Sequence, residues 1–394
     1  MINKHYLDRF DSLKERIAKS HFDAVKEFFN RNFDFENEIV RGDFRRYFTK
    51  PLIWGVSLLD ASSFDLSDVD ERVLRRVPFS SLTVWPEEDK LPKGFEPKKI
   101  IEEALHFKGL GFEKVNQRGF SGQGIKVAYI DLPFDTSHQE FEGRKIEYKE
   151  FSNNIHFHGY ATASRLVGKN IGVARDVDLV FYGTNPDYAC EYGDEDVSSI
   201  KEQLDAIEDV VKKLKSGEKI CAIGISASIE SQLEDIESEE VRLMFVQRYN
   251  DLADTLRNFD CELIDTDRFM KDFGFAYMKD TLGDRNDLDN YDTIYPQNKE
   301  KVNVIEAGKC YPMPFTIDEY KYENSVGCAS YSVPQVVGMY AIAKQIDSKL
   351  DFKRFVEFAK KTATKNNSGM TFLNAEALIC CLIRQAEELK TMDF

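Results

Sequence analysis

Between residues 98 and 264 the sequence alternates short apolar runs with long amphipathic helices, and few architectures are compatible with that order. The runs at 125–130, 177–182, 220–225 and 261–264 are each short and rich in β-branched or aromatic residues. The predicted helix at about 195–215 places its apolar residues three and four positions apart, so that they share one face. This alternation predicts a parallel sheet covered by helices on both faces, with ligands bound beyond the carboxyl ends of the strands.

The composition excludes several functional classes. The 394 residues are 42% apolar, which is enough for a sizeable core, and no stretch of 18 apolar residues predicts a membrane span. The net charge of −16 has the wrong sign for wrapping nucleic acid or covering an anionic lipid surface. Seven cysteines without a C-x-x-C pair are typical of reduced thiols. We therefore expect a cytoplasmic protein with neither nucleic acid nor membrane as a partner; the oligomeric state stays open.

The pattern also predicts two parts of unequal size. Residues 1–32 carry an apolar stripe typical of two short amphipathic helices, and three prolines between 86 and 97 predict a linker at about 86–98. We expect an N-terminal accessory or pro-region-like segment over 1–95 and one α/β domain over 96–394.

Three separated positions could carry chemistry. Asp131 directly follows a predicted buried strand, His158 precedes Gly159 and a predicted helix, and Ser330 opens an apolar helix that has Pro334 in its first turns. Taken singly, the aspartate is most simply a cap or turn residue and the histidine a structural one. Taken together, the order Asp, His, Ser matches one known chain order of a catalytic triad.

The segments around these residues resemble the subtilisin-like serine proteases (subtilases, peptidase family S8). The first block, Gly122-Gln-Gly124-Ile-Lys-Val-Ala-Tyr-Ile-Asp131, is similar to the family's G-x-G-V-x-V-A-V-I-D. The second, His158-Gly-Tyr-Ala-Thr-Ala163, resembles H-G-T-H-V-A, and the third, Cys328-Ala-Ser330-Tyr-Ser-Val-Pro334, resembles G-T-S-M-A-S-P. The resemblance spans roughly residues 100–385 in consistent order and identifies the chain as a divergent, intracellular bacterial-type relative.

The resemblance implies a three-layer α/β/α fold with a mostly parallel central sheet, preceded by an α-rich segment. It implies a serine endopeptidase that works through an acyl-enzyme on a peptide or protein substrate, with Ser330 as nucleophile. His158 is then the general base and Asp131 the carboxylate that orients it. The strand end at Ser226-Ala227-Ser228 is expected to pair with extended peptide. The resemblance also implies that His138 is structural, whereas His156, which lacks a following glycine, is expected to be a loop residue.

Several positions depart from the family pattern. Glu230 stands where the family strand ends in glycine, which would either select basic side chains or obstruct the pocket. The asparagine that completes the family's oxyanion hole is missing; Asp267 falls nearest its position, and Thr266 is the alternative. These departures keep open a second function, that of a catalytically impaired scaffold that binds extended peptides.

No cofactor or metal is predicted. The glycines at 119–124 precede a strand, so they do not form a dinucleotide fingerprint. The acidic stretch 284–292 could hold calcium, as loops of the family often do, but its spacing is not that of an EF-hand and a solvated turn is favoured.

Overall fold

A computed structural model describes residue 57 and residues 60–151, 155–184, 198–305, 309–314, 316–324 and 328–392. The two helices predicted over residues 1–32 lie outside the described residues. Within the described ranges no helix combines the length and the apolar character that a membrane crossing requires.

Helices and strands alternate along the described chain. The helices are α1 Glu71–Leu74, α2 Pro97–His106, α3 Phe112–Gln117, α4 Phe157–Val167, α5 Ser198–Lys215, α6 Ile229–Glu234, α7 Glu239–Asn258, α8 Thr266–Asp272, α9 Ala329–Ile346, α10 Phe352–Thr362 and α11 Ala375–Met392. The strands are β1 Phe79–Ser80, β2 Lys126–Asp131, β3 Ile146–Glu150, β4 Asp178–Gly183, β5 Ala222–Ile225, β6 Glu262–Ile264, β7 Phe273–Met278, β8 Tyr291–Asp292, β9 Val302–Ile305, β10 Lys309–Pro312, β11 Tyr320–Glu323, β12 Thr364–Lys365 and β13 Thr371–Phe372.

The central sheet has five strands in the order β3-β4-β2-β5-β6. Every neighbouring pair in it is parallel, so all five carboxyl ends lie at one edge. Strand β2 lies in the middle of this order, between β4 and β5, which places Asp131 at the centre of the carboxyl edge. The predicted α/β fold with a mostly parallel central sheet is confirmed.

Helices cover both faces of this sheet. Val127 and Tyr129 of β2 pack into one apolar cluster with residues of α4, α9, α10 and α11. The alternate residues Ala128 and Ile130 pack into a second cluster with residues of α5, α6 and α7. Successive side chains of a strand point to opposite faces of the sheet. The two clusters are therefore the two interfaces between the sheet and the helix layers on either side of it, which makes a three-layer structure.

One predicted helix is interrupted. The sequence pattern predicts a single helix near 98–116, whereas the structure has α2 and α3 with a break between them. Gly109, Leu110 and Gly111 adopt φ angles of 70°, 54° and 83°, which a right-handed helix cannot contain. Two glycines flanking a leucine were the available signal for this break.

Two further sheets flank the central one. Strands β12-β13-β9-β7-β8 form a mixed sheet, and β1-β11-β10 form an antiparallel one. In the latter, Phe79 pairs with Tyr322 and Ser80 with Lys321. The division near residue 95 stays a prediction; β1, which precedes it, shares a sheet with β10 and β11, which follow it.

Candidate active site

Asp131 is the last residue of β2, and its residue surface is only 7% exposed. A carboxylate buried there requires compensating donors. Its Oδ1 accepts the backbone N–H of Leu132 at 2.7 Å and lies 2.6 Å from Nδ1 of His158. The strand end therefore holds a buried carboxylate that contacts one backbone N–H and one imidazole.

His158 lies in the first turn of α4, where a glycine allows the helix to approach the strand end. A Cβ at Gly159 would lie 1.9 Å from the carbonyl oxygen of Leu132, so no other residue fits this contact without a backbone shift. His158 donates from Nδ1 to Asp131, which leaves Nε2 as the atom able to accept a proton. The His-Gly pair is thus a steric requirement for bringing the imidazole to the carboxylate.

His156, expected to be a loop residue, is instead the N-cap of α4. Its Nδ1 accepts the backbone N–H of His158 at 3.2 Å. Burial, followed by the neighbouring His158, lowers the pKa of His156 to about 4, so the ring is neutral and able to accept this bond. His138 is buried and structural: it caps the short helix Gln139–Phe141, and burial lowers its pKa to about 4 as well.

Ser330 lies in the first turn of α9, which packs against α4. Its Oγ donates to the carbonyl oxygen of Ser226 at 3.1 Å, and the Oγ of Ser226 donates to the carbonyl oxygen of Ser330 at 2.8 Å. The next residue, Tyr331, has its ring 5.4 Å from the imidazole of His158, measured between centroids. The hydroxyl of Ser330 thus faces the carbonyl oxygen of Ser226.

The predicted substrate strand ends earlier than its sequence suggests. Strand β5 ends at Ile225, and Ser228 is the N-cap of α6, accepting the backbone N–H of Ser231 at 2.9 Å. Ser226 and Ala227 form the connection between strand and helix. Glu230 is exposed in the first turn of α6 and is not a strand residue.

The two oxyanion candidates open α8. The backbone N–H of Thr266 donates to the carbonyl oxygen of Ala227 at 3.2 Å, so this donor is already engaged. The carboxylate of Asp267 accepts a hydrogen bond from the hydroxyl of Ser228. The structure brings both residues to the segment after β5, where the backbone N–H of Thr266 and the carboxylate of Asp267 are engaged with Ala227 and Ser228.

Asp265 is a residue of this region that the sequence reasoning missed. It is the buried N-cap of α8, and its Oδ1 accepts the backbone N–H of Arg268 at 2.8 Å. Burial, reinforced by the charges of Asp267 and Glu230, raises the pKa of Asp265 to about 6. An Asp directly after a predicted strand was the available signal.

A cleft of about 490 Å³ lies beside these carboxylates. Its walls come from the acidic residues just described and from α7, β6 and α8, with charges of both signs. The lining residues are Glu230, Tyr249, Ala253, Leu256, Arg257, Cys261, Glu262, Leu263, Asp265, Asp267, Arg268 and Lys271.

The acidic stretch 284–292 forms hydrogen-bonded turns. Asp284 accepts the backbone N–H of Asn286, and Asp287 accepts that of Asp289. Across the described part of the chain, no group of three or more His, Cys, Asp or Glu side chains is arranged to hold a metal ion.

Comparison with known proteins identifies the class of protein that the chain resembles. No family model matches the sequence. One curated relative, Subtilisin-like protease 10 of Arthroderma otae, is 37% identical over 84 residues, which is 18% of this chain; the match spans about a fifth (21%) of that protein.

Solved structures with a similar fold include the prenylagaramide maturation protease PagA, at 15% identity and a TM-score of 0.46, covering 69% of this chain and 98% of that one. They also include subtilase cytotoxin SubAB, at 12% identity and 0.49, covering 72% and 97%. A cold-adapted subtilisin-like serine proteinase matches at 12% identity and 0.45, covering 68% and 99%. The chain is thus similar to a subtilisin-like protease over a short stretch of sequence, and the solved structures it resembles include subtilisin-like proteinases.

Proposed function

We propose that the chain is a serine endopeptidase in which Asp131, His158 and Ser330 form the catalytic triad. The observation that carries this proposal is the 2.6 Å contact between Nδ1 of His158 and the buried Oδ1 of Asp131. That contact fixes the tautomer whose Nε2 can take a proton from a serine. The chain order of the three residues and the packing of α4 against α9 support the same assignment.

The proposed reaction begins when Ser330 Oγ attacks the carbonyl carbon of a peptide bond while its proton passes to His158 Nε2. The resulting tetrahedral adduct collapses with cleavage of the C–N bond, and the imidazolium returns the proton to the leaving amine. Water then attacks the acyl carbon while His158 takes one of its protons. The C–O bond to Ser330 breaks, the imidazolium returns the proton to Ser330 Oγ, and the carboxylic acid is released. Asp131 stabilises the imidazolium throughout. Side chains and water carry every proton, so the proposal invokes no cofactor.

The substrate in this proposal is a peptide or protein bound in extended form beside Ser226, Ala227 and Ser228. The backbone carbonyl of Ser226, which Ser330 now contacts, lies directly after strand β5 and suits pairing with a substrate N–H. Such pairing would also free the hydroxyl of Ser330 to turn towards His158. We place the protein in the cytoplasm, because the cysteines in the described part of the chain are free thiols, which is typical of a reducing compartment.

A second candidate function is a scaffold that binds extended peptides without cleaving them. Two contacts favour it: the hydroxyl of Ser330 faces Ser226, and Asp267 offers a carboxylate where the family has an oxyanion donor. An ionised carboxylate there would repel the developing oxyanion, and loss of one donor costs about 10²–10³ in turnover.

The two functions are distinguished by a fluorophosphonate probe, which reacts only with an activated serine. We expect wild type to be labelled and Ser330→Ala to remain unlabelled, with Ser332→Ala as the matched control because Ser332 is buried in the same helix. An unlabelled wild type with an intact fold would favour the scaffold. Equal labelling of wild type and Ser330→Ala would show that another residue is the nucleophile.

A further inference from the structure

The buried Tyr129 is connected to Ser330 by a chain of hydrogen bonds. We propose that Tyr129 is a positioning residue that acts through Ser226 to fix the first turn of α9, which carries Ser330. This inference rests on the proposed function, since it assigns a role in acyl transfer from Ser330. It concerns a position at which this sequence has tyrosine where the similar family block has valine.

The carbonyl of Ser330 is the group that requires positioning. In an α-helix this carbonyl would accept the N–H of the residue four positions later, but that residue is Pro334, which has no N–H. The hydroxyl of Ser226 supplies the missing donor, at 2.8 Å. The orientation of the peptide unit that follows the nucleophile therefore depends on a side chain from the β5 end and not on the helix alone.

Tyr129 determines where the hydroxyl of Ser226 points. The two hydroxyl oxygens lie 2.5 Å apart. A serine hydroxyl has one hydrogen, and Ser226 gives it to the carbonyl of Ser330, so Tyr129 is the donor of the second bond. Burial raises the pKa of Tyr129 well above its usual value, so the phenol keeps its proton at any working pH. The relay thus runs in one direction, from Tyr129 through Ser226 to Ser330.

The position of the Tyr129 ring is fixed by its neighbours in the sheet. In the sheet register Tyr129 lies directly beside Gly224, and a Cβ on Gly224 would lie 2.4 Å from a ring carbon of Tyr129. On the other side the ring stacks on Phe181, with centroids 6.3 Å apart and planes 15° apart. Gly224 therefore provides the space through which the phenol reaches Ser226, and the rigid sheet holds it there.

Removal of the phenol oxygen should make the position of Ser330 less well defined without changing the binding of the probe. In Tyr129→Phe the ring still fills its space, but the hydroxyl of Ser226 can turn away from the carbonyl of Ser330. We expect the maximal rate at which the fluorophosphonate phosphonylates Ser330, with loss of fluoride, to fall about tenfold, equivalent to ~1.4 kcal/mol of transition-state free energy. The half-saturating probe concentration should stay unchanged.

The matched control is Tyr291→Phe. Tyr291 is also fully buried and donates its hydroxyl to a backbone carbonyl, that of Arg285 at 2.7 Å, but it lies in the other five-stranded sheet. We expect urea unfolding to give similar losses of stability for the two Tyr→Phe variants, whereas only Tyr129→Phe slows phosphonylation by the probe. If the reaction with the probe is slowed equally in Tyr129→Phe and Tyr291→Phe, Tyr129 contributes only to stability, and the proposal is overturned.

A double-mutant cycle tests the direction of the relay. Because Tyr129 acts through Ser226, Tyr129→Phe combined with Ser226→Ala should react no more slowly than Ser226→Ala alone, and Ser226→Thr, which keeps the hydroxyl, should restore most of the rate. Fully additive losses, or a Tyr129→Phe rate equal to that of wild type, would overturn the relay and leave the proposed function intact. A wild type that does not react at all would overturn both.

Discussion

The charge of one buried carboxylate determines whether His158 can act as a base. Asp131 reaches the imidazole through a single oxygen, Oδ1, which also accepts the N–H of Leu132. Its other oxygen, Oδ2, is buried and has no hydrogen-bond partner among the residues that the structure describes. All of the stabilisation that an imidazolium would receive from Asp131 is therefore concentrated at one contact.

This arrangement makes Asp131→Asn the most informative change at the scale of a residue. The amide keeps the volume but loses the charge, and its NH₂ would favour the imidazole tautomer that presents no acceptor at Nε2. We expect the turnover of a peptide substrate to fall about 10³–10⁴-fold, with the substrate concentration at half-maximal rate nearly unchanged. Initial rates of peptide hydrolysis measure both quantities.

The control for this prediction is Glu142→Gln, which removes an exposed carboxylate and should leave the rate unchanged. A fall of less than tenfold in Asp131→Asn would mean that Asp131 is a strand-end structural residue, the simplest interpretation of its position in the sequence.

At the scale of an element, the N-terminus of α8 combines a cap with a charge that is costly to bury. Asp265 caps the helix, yet burial and the carboxylates of Asp267 and Glu230 raise its pKa to about 6. Between pH 4 and 6 the folded state therefore binds a proton that the unfolded state has released. Burying the ionised carboxylate of Asp265 lowers the free energy of unfolding. This loss is absent below the unfolded pKa near 3.8 and complete above pH 6, where it amounts to about 3 kcal/mol.

We therefore expect Asp265→Asn to stabilise the protein at neutral pH, because asparagine keeps the cap and removes the buried charge. Its advantage over wild type in the free energy of unfolding should be about 2–3 kcal/mol at pH 7 and should shrink steadily towards pH 4. Urea unfolding at several pH values measures it. Asp351→Asn is the matched control, since Asp351 caps α10 through the same contact to the third residue after it but is exposed. A gain that does not vary with pH would contradict the assigned cause.

The elements differ in how far the sequence could predict them. Strand β2 was predicted over 125–130 and runs over Lys126–Asp131, because its apolar residues are buried on both faces and leave a clear signal. The apolar run at 220–225 ends where β5 ends, at Ile225, but Ser226-Ala227-Ser228 is a connection and not the expected strand end. These three residues have no periodicity, and their conformation is set by contacts with α8 and α9. The role of Tyr129 depends on a neighbour 95 positions away in the chain, Gly224, and no local pattern reports such a pairing.

In the candidate site, too, the sequence predicts some features, and tertiary contacts determine the others. The chain order of Asp131, His158 and Ser330, together with the resemblance of the segments around them to subtilases, was sufficient to propose them as one group. The hydrogen bond from the hydroxyl of Ser330 to Ser226 depends on how β5 meets α9, which is a tertiary feature. The sequence could therefore predict the three candidate residues, but not the direction in which the hydroxyl of Ser330 points.

For the whole molecule, the open question is whether the residues before position 96 are a removable pro-region or a permanent part of the fold. Their described portion contributes to an apolar cluster with the β10–β11 hairpin and α2. In that cluster the ring of Phe79 lies 4.9 Å from that of Tyr322. Outside it, the buried guanidinium of Arg76 donates to the carbonyl oxygens of Met278 and Lys279.

We expect a chain that begins at residue 96 to be strongly destabilised, because it loses β1 and exposes the buried faces of Tyr320 and Tyr322. Burial of each such side chain is worth about 1.5–3 kcal/mol, and a few of them equal the usual margin of about 5–15 kcal/mol. A thermal scan should show a lower Tm or aggregation, whereas a chain that begins at residue 57 keeps the described cluster and serves as the comparator. If the chain from residue 96 unfolds at the same temperature as the chain from residue 57, the segment is not a structural part of the domain, and a cleavable pro-region becomes the better model.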